Sequence, residues 1–579
     1  MTAAHWPTNQ WPENVARDVD GYHIPLFSTL DEAARNYPDQ VYTLFMDETR
    51  TFAQVKDAAD RVANFLSASG IQKGERVAVC LPNIPHFPIV FFGILKAGAI
   101  CVSCNPLYTS PELHYQLNDA GARAIFCMNH PRQYPVTVEA AKNTSVRTVV
   151  ACDISAAMPG SDPGSRPGLD SLSPDEGSAE GPVPDYHLFD RIMEDYAPTP
   201  PDVRIDPAED LALIFYTAGT TGMPKGAALT HSNVSYDLKA LDEWARLQHE
   251  PDGPQEPLRK GGFHTYMGVI PWYQSFGLTV CMLAACWSAS RLVCLPDPRA
   301  GDPPFTETLK NIQKYKATIM PAVPTIFISL INHPLLDEFD LTSLMGCFSG
   351  GAPLPSEVCK QFEAKTGAII FEGYGLSETA PVATSNPTIR SLRKIGTVGF
   401  PLPGTEVKIL DMESGAHEMP LGADGEIAIS GPQVMKGYWK QPGTNETVFR
   451  EIGGRRYFLT GDIGHIDEDG YILITDRKKD MIIVGGFNVY PKEIENTLFE
   501  NPKIELAAVT GIPDSESGEA VKAHIQLKAG ESATEEEIRS FCKERLASYK
   551  CPKFIEFRDT MPVSPGGKLL RRQIRDDTL

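Results

Sequence analysis

The stretch LALIFYTAGTTGMPKG, residues 211–226, runs from an apolar segment straight into small residues, hydroxyls and one lysine. Glycine lets the backbone turn tightly and expose its N–H groups, threonine adds hydroxyl donors, and Lys225 adds a positive charge. Convergent donors with one cation suit an oligophosphate. The frame GTTGMPKG differs from the P-loop frame GxxxxGK[ST], because Gly226 and not a hydroxyl residue follows the lysine. Two readings stand at this point: a phosphate cradle, or a Gly/Thr-rich turn between the strand and the helical segment THSNVSYDLKALDEWARL that follows.

The chain has 579 residues, several domains' worth at about 150 residues each. With 42% hydrophobic and 22% charged residues it has the composition of an ordinary soluble enzyme. A formal net charge of −21 argues against non-specific nucleic-acid binding and requires that any anionic substrate meet a local basic site. One basic run exists: residues 540–575 hold nine Lys/Arg against three acids. A solvated surface is expected for most of them. The 12 cysteines sit mainly in apolar strings such as VAVCLPN and RLVCLPD, so buried free thiols are expected. CVSC (Cys101–Cys104) has metal-like spacing but no second pair or histidine cluster nearby. The first residues show no basic-then-apolar signal pattern. The apolar stretches FPIVFFGILKAGAICV and FGLTVCMLAACWSAS stop short of the ~20 residues of a span. They are expected to form core helices or pocket walls.

Outward from the glycine-rich stretch, strands and helices alternate through the first two-thirds. TFAQVKDAADRVANFLSASG (51–70) is an amphipathic helix ended by Gly70, RVAVCLPN a buried strand, PHFPIVFFGILKAGA a buried helix, and ARAIFCM and VRTVVAC further strands. This alternation predicts α/β subdomains with mainly parallel sheets. Residues 153–184, rich in Pro, Gly, Ser and Asp, are expected to be an exposed, mobile insertion. From about 395 the pattern shifts to short strands, TEVKIL, GEIAISG, YFLTGD and GYILITD, with Asp469–Gly470 as a turn: a small antiparallel β subdomain. A compact, mobile α+β domain follows DRKKD (476–480). The expected division is a large domain over 1–475, a hinge at 476–480 and a lid domain over 481–579.

YTAGTTGMPKG, EGYGLSETAP, YFLTGDIG, DRKKDMIIVGGFNVYPKEIE and PVSPGGKLLRRQIR occur in that order. Together they resemble the adenylate-forming superfamily of acyl-CoA synthetases, peptide-synthetase adenylation domains and luciferases, from about residue 25 onward. The last third is most similar to bacterial long-chain fatty acyl-CoA synthetases. The resemblance implies ATP and CoA as co-substrates with Mg²⁺, and a two-step reaction. A carboxylate attacks the α-phosphate of ATP to give acyl-AMP and pyrophosphate; the CoA thiol then displaces AMP.

It also implies roles. Thr217, Gly219, Thr220, Thr221, Gly222 and Lys225 would cradle the outer phosphates, with Ala218 standing where many relatives carry a hydroxyl. Gly350, Gly351 and Ala352 of FSGGAPL, with Glu372, Gly373, Tyr374 and Gly375, would form the nucleotide site, Tyr374 against the adenine and Ser377 near the α-phosphate. Glu378, completed by Thr217, would hold Mg²⁺. Asp462 would accept from the ribose hydroxyls, Arg477 would touch ribose or phosphate, and Lys479 would be the hinge. Lys568 would be the adenylation catalyst. Gly485 and Gly486 would line the CoA tunnel; Ile483 stands where some relatives carry a lysine for the second step. In VIPWYQSFGLT, Trp272, Tyr273, Gln274 and Gly277 would bound an acyl pocket, Gln274 replacing a usual histidine; core packing is the alternative there.

The expected substrate is a medium- or long-chain fatty acid. An aromatic acid, transfer to a carrier protein, an ADP-forming phosphotransferase and a non-catalytic binder are the rival readings. No nucleic-acid partner is expected. The expected location is the cytoplasm; peripheral membrane contact and a homodimer are both compatible with the sequence.

Overall fold

The computed structural model describes residues 11–12, 15–154, 184–217, 223–246, 264–484, 487–514, 517–563 and 569–576. The expected insertion at 153–184 therefore lies almost wholly outside the described residues.

Two large sheets form the bulk of the chain. One has eight strands in the order Gly437–Tyr438, Lys225–Thr230, Leu211–Thr217, Ile100–Ser103, Arg76–Cys80, Ala122–Met128, Thr148–Cys152 and Asp185–Leu188. From Leu211–Thr217 onward its pairings are parallel. The other has nine strands; its middle, from Ile369–Gly375 through Gly346–Ser349, Ile319–Ala322, Thr265–Gly268 and Arg291–Cys294 to Val41–Phe45, is parallel, and its edges are antiparallel. Parallel strands need covered faces, which explains the near-continuous apolar runs in the sequence.

The helices Phe52–Ala68 and His86–Lys96 contribute to a single core with residues of both sheets. The first begins with a capping box, Thr51 Oγ1 accepting from the Gln54 N–H and Gln54 Oε1 from the Thr51 N–H, and stops at Gly70 with φ +81°. All eleven residues of the second are buried. Lys96, which interrupts its apolar run, is neutralised inside the protein by Asp60 and Asp31, and Asp60 also takes Lys56. A charge at that depth is tolerable only with such partners. Among the described residues no helix is long and apolar enough to cross a membrane. The second apolar stretch supplies a fully buried seven-residue π-helical segment, Gly277–Leu283, a geometry frequent at functional sites.

The antiparallel subdomain is present as expected. Glu406–Leu410, Gly425–Ser430, Arg455–Ile466 and Phe449–Ile452 pair in sequence, and Ile472–Arg477 pairs with Arg455–Ile466. The last segment builds a five-stranded sheet around Ile504–Asp514 and Gly518–Leu527, covered by helices Pro491–Phe499 and Glu535–Lys543, with its own core of Ile494, Leu498, Val509, Ile525 and Ile538. The expected fold class is the one observed: α/β subdomains, a small antiparallel sheet, then a small α+β domain.

One local expectation needs correcting. The glycine-rich stretch does not join a strand to a helix. Lys225–Thr230 is a strand that pairs antiparallel with Leu211–Thr217, Thr217 opposite Lys225, and the helix His231–Arg246 starts only after it. The basic run of the last segment is also more than a solvated surface. Lys550 pairs with Glu493, Lys553 with Asp514, Arg558 with Glu556, Arg571 with Glu495 and Arg575 with Asp480. Eleven of the 12 cysteines are buried and all are free thiols. Burial pushes the Cys127 and Cys281 thiols up to about 12, so they are packing groups and not nucleophiles.

Candidate active site

The strand Ile369–Gly375 ends at a crowded turn. A Cβ on Gly373 would lie 2.2 Å from the Phe348 ring, and one on Gly375 would lie 1.7 Å from the Pro381 carbonyl oxygen. Only glycine fits at either position, so the chain can place Tyr374 and the short turn Ser377–Thr379 side by side. Ser377 Oγ shares a 2.9 Å hydrogen bond with Ser275 Oγ, next to Gln274. Glu378 is buried, and its Oε1 accepts the Tyr438 hydroxyl at 2.6 Å. Burial raises its pKa, partly offset by that hydrogen bond.

Tyr374 donates to Asp462 Oδ2 at 2.7 Å, and Arg477 Nε lies 2.9 Å from Asp462 Oδ1. Asp462 and Arg477 are direct cross-strand partners in the antiparallel subdomain, so their pairing is fixed by the register. Asp462 is 3% exposed, and its proximity is the main reason the Arg477 pKa is raised. Two residues on, Lys479 is exposed in the turn after the strand, and partial desolvation lowers its pKa.

Glu372 sits deeper than its neighbours. Its carboxylate accepts the Leu354 and Gly396 N–H groups, both at 3.2 Å, tying the FSGGAPL segment to the strand. Gly351 has φ +79°, and a Cβ on Gly350 would press the Phe276 ring at 3.2 Å; Ala352 is half-exposed beside them. Thr217 and Lys225 stand at the two mouths of the glycine-rich loop, where Thr217 Oγ1 lies 3.4 Å from the Lys225 carbonyl oxygen. Gly219, Thr220, Thr221, Gly222, Gly485, Gly486 and Lys568 lie outside the described residues.

The acyl-pocket segment divides. Trp272 is fully buried in the main core, 6.0 Å from the Phe87 ring, and its backbone N–H donates to Asn83 Oδ1. Tyr273, Gln274 and Phe276 are only half-buried. A Cβ on Gly277 would lie 2.1 Å from the Pro271 carbonyl oxygen, so that glycine is dictated by the turn.

Sequence reasoning missed Tyr438. Its short strand Gly437–Tyr438 pairs with Lys225–Thr230, Tyr438 opposite Ala227, and Lys225 Nζ lies 5.7 Å from the centre of its ring. The Gly-aromatic pair in MKGYW was the available signal.

Glu378, Ser377, Tyr374, Asp462, Arg477 and Lys225 thus bring together a buried carboxylate, hydroxyls, an aromatic ring and cations from three sheets. Among the described residues no group of three or more His, Cys, Asp and Glu could hold a metal alone. A lone carboxylate suits a Mg²⁺ ion that arrives on a nucleotide's phosphates and keeps most of its ligands there.

The model of the AMP-binding enzyme family matches residues 30–439, and that of the AMP-binding enzyme C-terminal domain matches 493–568. The chain is 37% identical to the long-chain-fatty-acid–CoA ligase of Bacillus subtilis over 573 residues, covering 98% of this chain and 97% of the relative. It is 35% identical to the ligase of the same name from Escherichia coli O6:H1, with 98% and 97% covered. Among solved structures, the anthranilate CoA ligase AuaEII in complex with anthranoyl-AMP superposes with a TM-score of 0.81 at 25% identity, covering 96% of this chain and 98% of that one. On these matches the chain belongs to the AMP-binding enzyme family.

Proposed function

We propose that the protein is an AMP-forming acyl-CoA synthetase that activates a medium- or long-chain fatty acid with ATP and passes the acyl group to CoA. The carrying observation is the chain Tyr374–Asp462–Arg477 beside the buried Glu378. It offers a ribose acceptor, a ring face for a base and a carboxylate for a phosphate-bound cation within one site. The names of the relatives from Bacillus subtilis and Escherichia coli support the fatty acid as substrate.

In this reading a carboxylate oxygen of the fatty acid attacks the α-phosphorus and pyrophosphate leaves. Mg²⁺ on the phosphates would neutralise charge on the departing group, with Glu378 and Thr217 as its protein contacts. Lys225 and the loop that follows Thr217 hold the outer phosphates; Ser377 faces the α-phosphate; Asp462 takes the ribose hydroxyls and Arg477 orients Asp462. Gly350, Gly351 and Ala352 let the base approach the backbone, while Glu372 holds that segment in place. Tyr273, Gln274 and Phe276 border the acyl chain. The CoA thiol then attacks the acyl carbonyl carbon, losing its proton as AMP leaves. Incubation with fatty acid, CoA and Mg-ATP is expected to yield AMP and pyrophosphate in equal amounts, and a panel of aliphatic and aromatic acids ranks the substrates. ADP and phosphate as products would overturn the reading. So would acceptance of a pantetheinyl carrier protein in place of CoA.

The hinge belongs to the same proposal. Asp480 and Met481 donate their N–H groups to the Arg477 carbonyl, and among the described residues no backbone hydrogen bond runs through the Lys479 N–H. Lys479→Pro therefore removes conformational freedom without removing a bond, because proline fixes φ near −65°. The two half-reactions are expected to diverge by about tenfold or more, equivalent to ~1.4 kcal/mol between them. An equal fall in both would exclude rotation at this position.

A further inference from the structure

We infer that Tyr438 is a positioning residue for the metal step: it fixes the carboxylate plane of Glu378 for the cation on ATP and ties that carboxylate to the strand carrying Lys225. The inference rests on the reading of Glu378 as the metal-facing residue.

The terminal torsion of a glutamate is broad, so a lone carboxylate ligand has no preferred plane of its own. Glu378 acquires one from outside. Tyr438 Oη donates to Oε1 at 2.6 Å, which leaves acceptor capacity on the carboxylate for a cation. The backbone of Glu378 is held from the same segment, since the Met435 N–H donates to its carbonyl at 2.8 Å.

That segment is itself anchored to the phosphate side. Lys436 N–H donates to the Ala228 carbonyl and Trp439 N–H to the Gly226 carbonyl, bracketing the pairing of Tyr438 with Ala227. Asn445 grips Tyr438 from both sides, Oδ1 accepting its N–H at 2.7 Å and Nδ2 donating to its carbonyl at 3.1 Å. A Cβ on Gly437 would lie 2.8 Å from Asn445 Nδ2, so glycine is needed for this grip. Lys225 Nζ, 5.7 Å from the ring centre, is within cation–π range of the same side chain whose hydroxyl holds Glu378. Neither Lys225 nor Glu378 forms an ion pair among the described residues. Each therefore stays available, Lys225 for phosphate and Glu378 for the cation, while one tyrosine sets their relation.

Outer-shell partners of this kind are worth about 10–100-fold in metal affinity. The test measures by calorimetry how much Mg²⁺ tightens binding of α,β-methylene-ATP, which carries the phosphates but cannot give up pyrophosphate and so cannot adenylate a carboxylate. Tyr438→Phe, which keeps the ring, is expected to cut that tightening by about tenfold or more while metal-free affinity stays within about twofold. Glu378→Gln is expected to abolish most of the tightening, and adding Tyr438→Phe to it is expected to change nothing further. Tightening unchanged in Tyr438→Phe, an equal loss with and without Mg²⁺, or a further loss in the Glu378→Gln background would each overturn the inference. A wild-type protein whose nucleotide affinity ignores Mg²⁺ would instead overturn the metal reading of Glu378 on which the inference rests.

Discussion

Lys568→Ala is expected to slow acyl-adenylate formation by about 10²–10³-fold, the loss typical of one donor aimed at charge that develops in a transition state. An ammonium facing both the carboxylate and the α-phosphate meets two anions, so the effect belongs at the upper end of that range. Transfer from pre-formed acyl-AMP to CoA is expected to continue near the normal rate. The reason lies in the contacts of the described residues on either side of Lys568. Val563 and Leu569 on its two flanks pair antiparallel, and three residues beyond the lysine Arg571 is ion-paired with Glu495. Arg571 also lies 3.9 Å from Asp476 and 4.0 Å from Asp480, both in the proposed hinge segment, and Arg575 lies 3.8 Å from Asp480. The described residues that flank Lys568 are thus tied to the segment about which rotation is proposed, so a turn there is expected to carry the lysine away from the nucleotide before the second step. Separate assays of the two half-reactions decide the matter. Normal adenylation, or an equal failure on pre-formed acyl-AMP, would remove Lys568 from the catalytic role.

The parts of this enzyme legible in the sequence are those with a local cause. The capped helix at 52–68, the buried strand at 76–80 and the short strands after 400 follow from periodicity and turn residues within a few positions. The signature segments were legible too, because each packs its polar residues and glycines into a short window. The sequence did not show which side chains meet. Tyr374 reaches Asp462 across 88 positions and Tyr438 reaches Glu378 across 60, separations at which no periodic pattern links the partners.

Burial was ambiguous for the same reason. Trp272 and Tyr273 are neighbours of similar chemistry, yet one is sealed in the core and the other is half-exposed, a difference set by Phe87 and Asn83 far away in the chain. Glu372 looks like a ligand beside Gly373 and Tyr374, but its carboxylate is occupied by two backbone N–H groups. The strand Lys225–Thr230 was missed because GAALT is short and small-residued; it becomes a strand by pairing on both sides, with Leu211–Thr217 and with Gly437–Tyr438.

Asp462→Ala is expected to raise the KM for ATP by a factor of tens to thousands, because truncating one partner of a buried, hydrogen-bonded charge pair costs about 2–5 kcal/mol. Two losses combine. The ribose loses its acceptor, and the Arg477 guanidinium and Tyr374 hydroxyl lose the carboxylate that both address, leaving polar groups without a partner at the edge of the base site. A large KM effect alone would not separate ligand contact from local repair of the site, so the nucleotide must be varied together with the residue. In the wild type, 2′-deoxy-ATP and 3′-deoxy-ATP should each bind more weakly than ATP, since an acceptor facing a missing hydroxyl gains nothing. In Asp462→Ala that penalty should vanish for whichever hydroxyl the carboxylate receives, because neither partner of the bond is left. Coupling of this size is expected between groups in direct contact and not between distant ones. A deoxy penalty of the same size in both proteins would show that Asp462 only braces Arg477 and Tyr374, and would assign the ribose to another residue.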